Sequence, residues 1–270
     1  MGVTTAVRRI GAGLVAIALI AAVGVVVLTL RRRSAVVSTC AVSAGGSTYT
    51  LDVEQAANSA TIAAVGKRLG LPDHAVTIAL ATALQESKLR NLPYGDRDSL
   101  GLFQQRPSQG WGTSTEILTP SYSAAAFYRA LIRIPSWATL PITVAAQKVQ
   151  LSAAPSAYAQ WESEARTLAI ATTGEVAAAL TCHFTLARAD APAPIVTPSM
   201  GNELGVPTLD GTFTPARGWT VATWLVGHAQ QFRITAVSFR GQEWRASTGH
   251  WRPTTPSDNR VRFEQQAVST

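Results

Sequence analysis

Residues 72–104 read PDHAVTIALATALQESKLRNLPYGDRDSLGLFQ. Pro72 can open a helix, and apolar residues then occupy every face as far as Leu84, which is typical of a buried helix. Glu86 lies at the end of this helix, and the small residues three, four and seven positions before it share its face. After Leu89 the segment is rich in Pro, Gly, Asp and Ser, which predicts a loop. The segment therefore predicts a buried helix whose last turn presents one carboxylate to a polar loop.

A carboxyl group that emerges from apolar surroundings holds its proton more strongly than one in water. A general acid needs this property to protonate a glycosidic oxygen near neutral pH. Taken alone, Glu86 is better explained as a solvated glutamate at a helix end. The motifs that follow it along the chain change this interpretation.

Two short motifs resemble the lysozyme-like superfamily, in particular its soluble lytic transglycosylase-type and goose-type lysozyme domains. Those domains share a helix that ends in Glu-Ser, then a loop, then a Gly-Leu-Met-Gln turn. This chain has Glu86-Ser87 and then Gly101-Leu102-Phe103-Gln104, and Tyr94-Gly95-Asp96-Arg97 is similar to the Gly-Asp-Arg of goose-type lysozymes. The resemblance covers about residues 40–182. The overall pattern is similar to that of membrane-anchored actinobacterial wall-hydrolase-like proteins.

The resemblance implies that Glu86 is the acid and base of glycosidic bond cleavage in peptidoglycan. It implies that Ser87 orients this carboxylate or contacts an N-acetyl group of the sugar. Gly101 would let the sugar approach the backbone closely, and Gln104 would hydrogen-bond the substrate or the acid. A plain tight turn with a solvated amide remains the alternative for the last two residues.

Aromatic residues in the loop fit a sugar-binding groove, because ring faces stack on the C–H faces of pyranoses. Tyr94, Phe103 and Trp111 are the candidates, although each ring taken singly is better explained by core packing. Trp137 and Trp161 are assigned to the core.

The chain departs from the family pattern in two places. The transglycosylases have an Ala-Tyr-Asn motif whose Tyr contacts the acid, whereas residues 144–149 read VAAQKV here. Gln147 can stand in for this motif, and Tyr158 or Tyr128 can supply the hydroxyl. Goose-type enzymes also carry an Asp shortly after the Gly-Leu-Met-Gln turn, where this chain has Gln105-Arg106.

The second carboxylate decides the mechanism. A hydrolase by the usual route needs two carboxylates, and Asp96 and Asp98 are the nearby candidates. A lytic transglycosylase needs only one, because the 6-hydroxyl of muramic acid is an internal nucleophile. The sequence favours the single-Glu mechanism. A hydrolytic muramidase that uses Asp96 or Asp98 is one alternative, and a catalytically inactive peptidoglycan-binding or scaffold protein, which the missing Tyr-Asn motif supports, is the other.

The N-terminal region predicts a membrane anchor. Residues 10–30 carry no charge and no Pro, and at about 1.5 Å per residue they would span roughly 30 Å as a helix. Two Arg precede this stretch and three follow it, so the count of basic residues alone does not support an outside C-terminal part. We nevertheless expect a single-pass cell-membrane protein whose C-terminal part is extracytoplasmic, because the short N-terminus cannot be the functional part.

The two cysteines, Cys40 and Cys182, lie at the two ends of the largest helical block. We expect a disulfide between them, because such bonds persist outside the cytoplasm. On the chain-entropy model, a bond across this loop would stabilise the domain by about 3–5 kcal/mol. The alternative is two buried thiols. No second ligand pair accompanies Cys182 and His183 at metal spacing, so neither a metal nor a cofactor is predicted.

The formal net charge is +7, and the basic residues are dispersed along the chain. Nucleic acid is the usual partner of such a charge, but the predicted anchor and disulfide argue against it. An anionic cell wall or lipid surface is the more consistent partner. We therefore expect peptidoglycan glycan strands and, through the anchor, the membrane as partners, and the sequence predicts no particular protein partner.

Composition along the chain predicts four regions. The cytoplasmic tip and anchor would take residues 1–33, a helical lysozyme-like domain 34–184, a Pro/Gly-rich linker 185–217, and a small α+β accessory domain 218–270. The predicted fold class is a mainly α lysozyme-like domain with an N-terminal transmembrane helix, plus a small α+β C-terminal domain.

Overall fold

The computed structural model describes residues 38–152 and 156–268. The strands are β1 Thr39–Ala44, β2 Ser47–Leu51, β3 Leu180–His183, β4 Ile234–Phe239, β5 Gln242–Arg245, β6 His250–Pro253 and β7 Arg262–Gln265. The helices are α1 Val53–Arg68, α2 Asp73–Ser87, α3 Ser114–Ile117, α4 Pro120–Leu131, α5 Ile142–Gln150, α6 Glu162–Thr172, α7 Thr197–Leu204 and α8 Pro215–Gly227. Short 3-10 helices span Pro107–Gln109, Trp137–Thr139 and Ala159–Trp161.

The first sheet has the strand order β2-β1-β3, and both pairings are antiparallel. Gly45 and Gly46 form the two-residue turn between β1 and β2, and both have positive φ, as a type I′ hairpin requires. Cys40 on β1 lies opposite Cys182 on β3, and their sulfurs are bonded. The predicted disulfide is therefore confirmed.

Helix α1 lies at the centre of the helical layer and packs against α2, α4, α7 and α8. Asp52 caps it, because the Asp52 carboxylate accepts from the Gln55 backbone while the Gln55 side chain accepts from the Asp52 backbone. Gly66 lets α4 approach closely, since a Cβ there would lie 2.8 Å from the Tyr128 hydroxyl. That hydroxyl donates to the Ile62 carbonyl at 2.9 Å, so a buried tyrosine joins α4 to α1.

The second sheet has the order β6-β5-β4-β7, again fully antiparallel. Helix α8 covers it, and Trp244 and Trp251 reach from it to β3. The Trp244 indole donates to the Cys182 carbonyl at 3.0 Å, and the Trp251 indole donates to the Leu180 carbonyl at 2.8 Å. The described residues accordingly belong to one compact unit. The stretch 185–217, expected to be a linker, contains α7, whose Met200 and Leu204 are buried.

The prediction of a mainly α lysozyme-like fold is wrong, because the described residues form a mixed α/β fold with two antiparallel sheets. The predicted helical domain of residues 34–184 contains strands as well: Thr39–Leu51 forms a hairpin and Leu180–His183 pairs with its first strand. The turn signal at Gly45-Gly46 is the local feature that indicates this hairpin.

The predicted transmembrane stretch, residues 10–30, lies outside the described residues. Among the residues that are described, no helix combines the length and apolar character needed to cross a bilayer.

Candidate active site

Glu86 lies in the last turn of α2, which stops at Lys88 because that residue adopts a left-handed conformation with φ 56°. Its carboxylate is half-buried and accepts a hydrogen bond at 2.8 Å from the hydroxyl of Tyr158. Tyr158 is fully buried, and the Ser152 side chain hydrogen-bonds the same hydroxyl. Burial, and then the neighbouring Glu86 carboxylate, raise the pKa of Tyr158. The phenol therefore stays protonated and remains a donor to Glu86.

Helix α2 and the segment around Trp161 are joined beside this pair. The Trp161 indole donates to the Gln85 side-chain oxygen at 2.8 Å, and the Gln160 amide donates to the same oxygen at 3.2 Å. The Lys88 ammonium lies 4.0 Å from the centre of the Trp161 ring, a cation–π contact. These contacts hold the segment that carries Tyr158 against the end of the helix that carries Glu86.

A second glutamate lies in the same electrostatic environment. Glu164, on α6, and Glu86 both interact with the charge of Lys88. Burial lowers the pKa of Lys88, against the effect of the two carboxylates, and burial raises the pKa of Glu164, against the effect of Lys88. The Lys88 ammonium is therefore within electrostatic reach of two carboxylates, those of Glu86 and Glu164.

Ser87 has a structural position. Its buried hydroxyl donates to the Leu102 carbonyl at 2.8 Å and to the Ala83 carbonyl at 3.1 Å. The bond to Leu102 fastens the turn at Gly101 to the end of α2. Ser87 thus fixes the position of the helix end, because its hydroxyl donates to backbone carbonyls and not to the Glu86 carboxylate.

Gly101 and Gln104 shape the turn itself. Gly101 has φ 73°, and a Cβ there would lie 2.7 Å from the Ile117 carbonyl, so only glycine fits. Gln104 also has positive φ, and its amide donates to the carbonyls of Gly101 at 3.2 Å and Tyr94 at 3.4 Å. The amide of Gln104 therefore braces the loop, while the Tyr94 side chain is 68% exposed.

Phe103 packs in the core. It is fully buried and stacks on Phe127, with ring centroids 4.7 Å apart. The Gln150 amide on α5 donates to the Phe103 carbonyl at 2.8 Å. The side chain of Phe103 consequently supports the turn from below and offers no face to a sugar.

The two aspartates predicted as second carboxylates have different surroundings. Asp98 forms an ion pair with Arg106 at 2.7 Å and accepts from the Ser108 backbone at 2.8 Å. The hydrogen bond from Arg106 holds the pKa of Asp98 well below its usual range. Asp96 is 91% exposed, and its nearest cation is Arg97 at 4.0 Å. Within the described chain, neither aspartate forms a hydrogen bond with Glu86.

Gln147 is connected to the site indirectly. Its amide donates to the Ser152 carbonyl at 2.7 Å, and Ser152 in turn hydrogen-bonds Tyr158. The side-chain oxygen of Gln147 is buried and has no partner in the described part of the chain. Gln147 thus holds the backbone of the residue that positions Tyr158.

Sequence reasoning named Tyr158 only as one of two possible hydroxyl donors, and it missed Lys88 and Glu164. It assigned Trp161 to the core, although the ring is partly exposed and contacts both Gln85 and Lys88. The available signal was the spacing of Tyr158, Trp161 and Glu164, which lie three residues apart at the start of a helical segment and share one face.

Among the described residues, no group of three or more His, Cys, Asp or Glu side chains is arranged to hold a metal ion. In comparisons with known proteins, this chain matches no protein-family model and no curated protein.

Proposed function

We propose that this protein cleaves the glycan strand of peptidoglycan at the β-1,4 bond between N-acetylmuramic acid and N-acetylglucosamine, with Glu86 as the only acid and base. The observation that carries the proposal is the hydrogen bond from the buried Tyr158 hydroxyl to Glu86 at the end of α2. A tyrosine that contacts the acid is the element that the sequence motifs lack, and this contact supplies it.

The chemistry requires one proton to move in each of two steps. Protonated Glu86 gives its proton to the glycosidic oxygen, and the bond between that oxygen and C1 of the muramic acid breaks, which leaves positive charge on the sugar ring. The 6-hydroxyl of the same sugar then attacks C1, and the Glu86 carboxylate takes up the hydroxyl proton. The product is a 1,6-anhydro sugar, and Glu86 is protonated again.

Tyr158 acts on this cycle as a positioning residue. Its hydroxyl donates to the carboxylate of Glu86 and fixes one of the two oxygens. The other oxygen is then directed at the substrate, because a bond to the first oxygen restricts rotation of the group. The donation also stabilises the carboxylate that forms after the first step.

The surroundings of the two aspartates favour this route over a hydrolase that uses them. Asp98 is neutralised by Arg106, and Asp96 is almost fully exposed. Neither has the environment of a carboxylate that directs a water at C1. The disulfide between Cys40 and Cys182 supports an extracytoplasmic location, where peptidoglycan is found.

Digestion of purified sacculi by the full-length protein and by its Glu86→Gln variant tests the proposal, with products identified by mass spectrometry. We expect anhydro-muropeptides from the unaltered protein and none from the variant, while both proteins sediment with sacculi. Glu162→Gln is a matched control. The Glu162 side chain is 43% exposed, forms an ion pair with Arg166 at 3.1 Å and makes no contact with Glu86, so this variant should cleave sacculi like the unaltered protein.

Two outcomes contradict the proposal. Reducing, hydrated sugar ends would establish a hydrolase. An absence of products from folded protein that still binds sacculi would establish a binding protein without catalytic activity.

A further inference from the structure

A cavity of about 330 Å³ lies beside α4, away from the contacts of Glu86. Its lining residues come from the loop after the Gly101 turn and from α4 and its C-terminal end: Gln109, Gly110, Trp111, Tyr122, Ala126, Arg129, Ala130 and Arg133. The volume is at the lower end of the range for small-molecule sites. It is large enough for one sugar ring with a substituent.

The cavity carries two positive charges and no negative one. Arg129, in the last turn of α4, and Arg133, just beyond the end of that helix, are both exposed and both line the cavity. Neither forms an ion pair or a side-chain hydrogen bond within the described residues, and no acidic residue lines the cavity. Two like charges at one cavity repel each other, and a bound anion would offset that repulsion.

Aromatic rings form part of the cavity wall. Trp111 and Tyr122 are both partly buried, and the guanidinium of Arg129 lies 5.7 Å from the centre of the Tyr122 ring. Gly112 has φ 132°, and a Cβ there would lie 2.6 Å from the Tyr122 hydroxyl. The loop therefore passes directly against the phenol, and this fixes Tyr122 at the cavity.

We propose that this cavity binds an acidic sugar. The carboxylate would lie between the guanidinium groups of Arg129 and Arg133, since arginine pairs well with carboxylates. The pyranose ring would stack on Trp111. The choice of N-acetylmuramic acid as the sugar rests on the proposed function, whereas the chemistry of an anion attached to a ring depends only on the residues of the cavity.

Calorimetric titration of the full-length Glu86→Gln protein at low salt tests this site, because that variant cannot consume a ligand. The probes are N-acetylmuramic acid, N-acetylglucosamine, which lacks the lactyl carboxylate, and inorganic phosphate, which lacks the ring. We expect N-acetylmuramic acid to bind most tightly. Replacing both arginines by glutamine (R129Q/R133Q) should weaken it about tenfold or more, as expected for loss of charge-assisted hydrogen bonds.

Arg252→Gln is the matched control. Arg252 is also exposed, its side chain forms no ion pair or hydrogen bond within the described residues, and it lies on β6, outside the lining of the cavity, so its replacement should leave the affinity unchanged. Raising the salt concentration should weaken N-acetylmuramic acid binding to the parent protein and have little effect on the R129Q/R133Q variant, because exposed charges are screened.

Three results would overturn the inference. Equal affinity for N-acetylglucosamine would mean that the carboxylate is not recognised. Equal affinity for phosphate would mean that the ring is not recognised. Unchanged affinity in the R129Q/R133Q variant would place the bound sugar elsewhere on the protein. If sacculi are not cleaved but the arginine-dependent binding is observed, the proposed function fails and this site stands.

Discussion

Two glutamates of this protein, Glu86 and Glu203, accept hydrogen bonds in opposite kinds of surroundings. Glu86 is half-buried and accepts from Tyr158 alone among the described side chains. Glu203, on α7, is 14% exposed, and one of its oxygens accepts from the Thr61 hydroxyl and from the Trp224 indole, each at 2.7 Å. The difference teaches that a carboxylate is available for chemistry only where the fold leaves some of its lone pairs without hydrogen-bond donors and leaves it accessible to a substrate.

The cluster around Glu203 joins three helices. Thr61 belongs to α1 and Trp224 to α8, and the buried ring of His228 lies 3.9 Å from the same carboxylate. The His228 Nδ1–H donates to the Trp224 carbonyl at 2.9 Å. This arrangement is suited to holding α7 and α8 against α1. Replacing Glu86 and Glu203 in separate variants should therefore distinguish a loss of catalysis from a loss of stability.

The largest expected effect is the contrast between Glu86→Gln and Glu203→Ala. Glu86→Gln should lower the rate of glycan cleavage by about 10³-fold or more, since it removes the acid and base, with little change in thermal stability. Glu203→Ala should lower the free energy of unfolding by about 2 kcal/mol, because it leaves the buried Trp224 indole donor without an acceptor, whereas the Thr61 hydroxyl can still donate to His228 Nε2 at 3.1 Å. Sacculus digestion and urea unfolding measure the two effects. A Glu203→Ala protein that is folded but inactive would contradict the separation.

The buried tyrosines Tyr158 and Tyr128 show the same contrast between a catalytic and a structural role. Tyr158→Phe removes the donor to Glu86 and should lower kcat by about tenfold to a hundredfold with little change in KM, as expected for one hydrogen bond to a charged group. Tyr128→Phe removes a bond to the Ile62 carbonyl and should instead cost about 1 kcal/mol of stability. Steady-state kinetics and thermal unfolding of both variants check this. Equal kinetic effects would show that Tyr158 acts through the core.

The pH dependence of stability should report on the Glu203 cluster. Burial lowers the pKa of His228, more than the Glu203 carboxylate raises it, so the unfolded chain binds a proton below about pH 6.5 that the folded chain does not. The free energy of unfolding should therefore decrease as the pH falls through this range, by at most about 1.4 kcal/mol per pH unit.

Urea unfolding at several pH values between 7.5 and 5 measures this slope. His228→Gln should flatten it, while His250→Gln, which alters an exposed histidine on β6, should not. A parent protein whose stability rises as the pH falls would contradict the sign.

The smallest expected effect is that of Asp96→Asn. Asp96 is almost fully exposed, and its ion pair with Arg97 is long, at 4.0 Å, so cleavage by this variant should match the unaltered protein within about twofold, which corresponds to less than 0.5 kcal/mol. Initial rates on soluble glycan fragments provide the measurement. A loss as large as that of Glu86→Gln would identify Asp96 as a second catalytic carboxylate and return the mechanism to hydrolysis.

Helices were easier to predict than strands. The apolar pattern after Pro72 indicated α2 to within a few residues of its bounds, because a helix depends on contacts between residues three and four apart. The strand β3 has no such local signal. It exists because Leu180–His183 meets β1, about 140 positions earlier in the chain, and no local pattern reveals so distant a partner, so the stretch falls within the predicted helical domain.

The sequence alone determined the position of Glu86 at a helix end, the turn at Gly101 and the cysteine pair, because each depends on local chain geometry or on residues with a single plausible partner. Only the tertiary structure decided which hydroxyl reaches Glu86 and which side chains face solvent. Tyr158 and Tyr128 are both aromatic, both buried and equivalent in sequence terms. Packing of α6 against α2 brings one to the carboxylate, and packing of α4 against α1 brings the other to a backbone carbonyl.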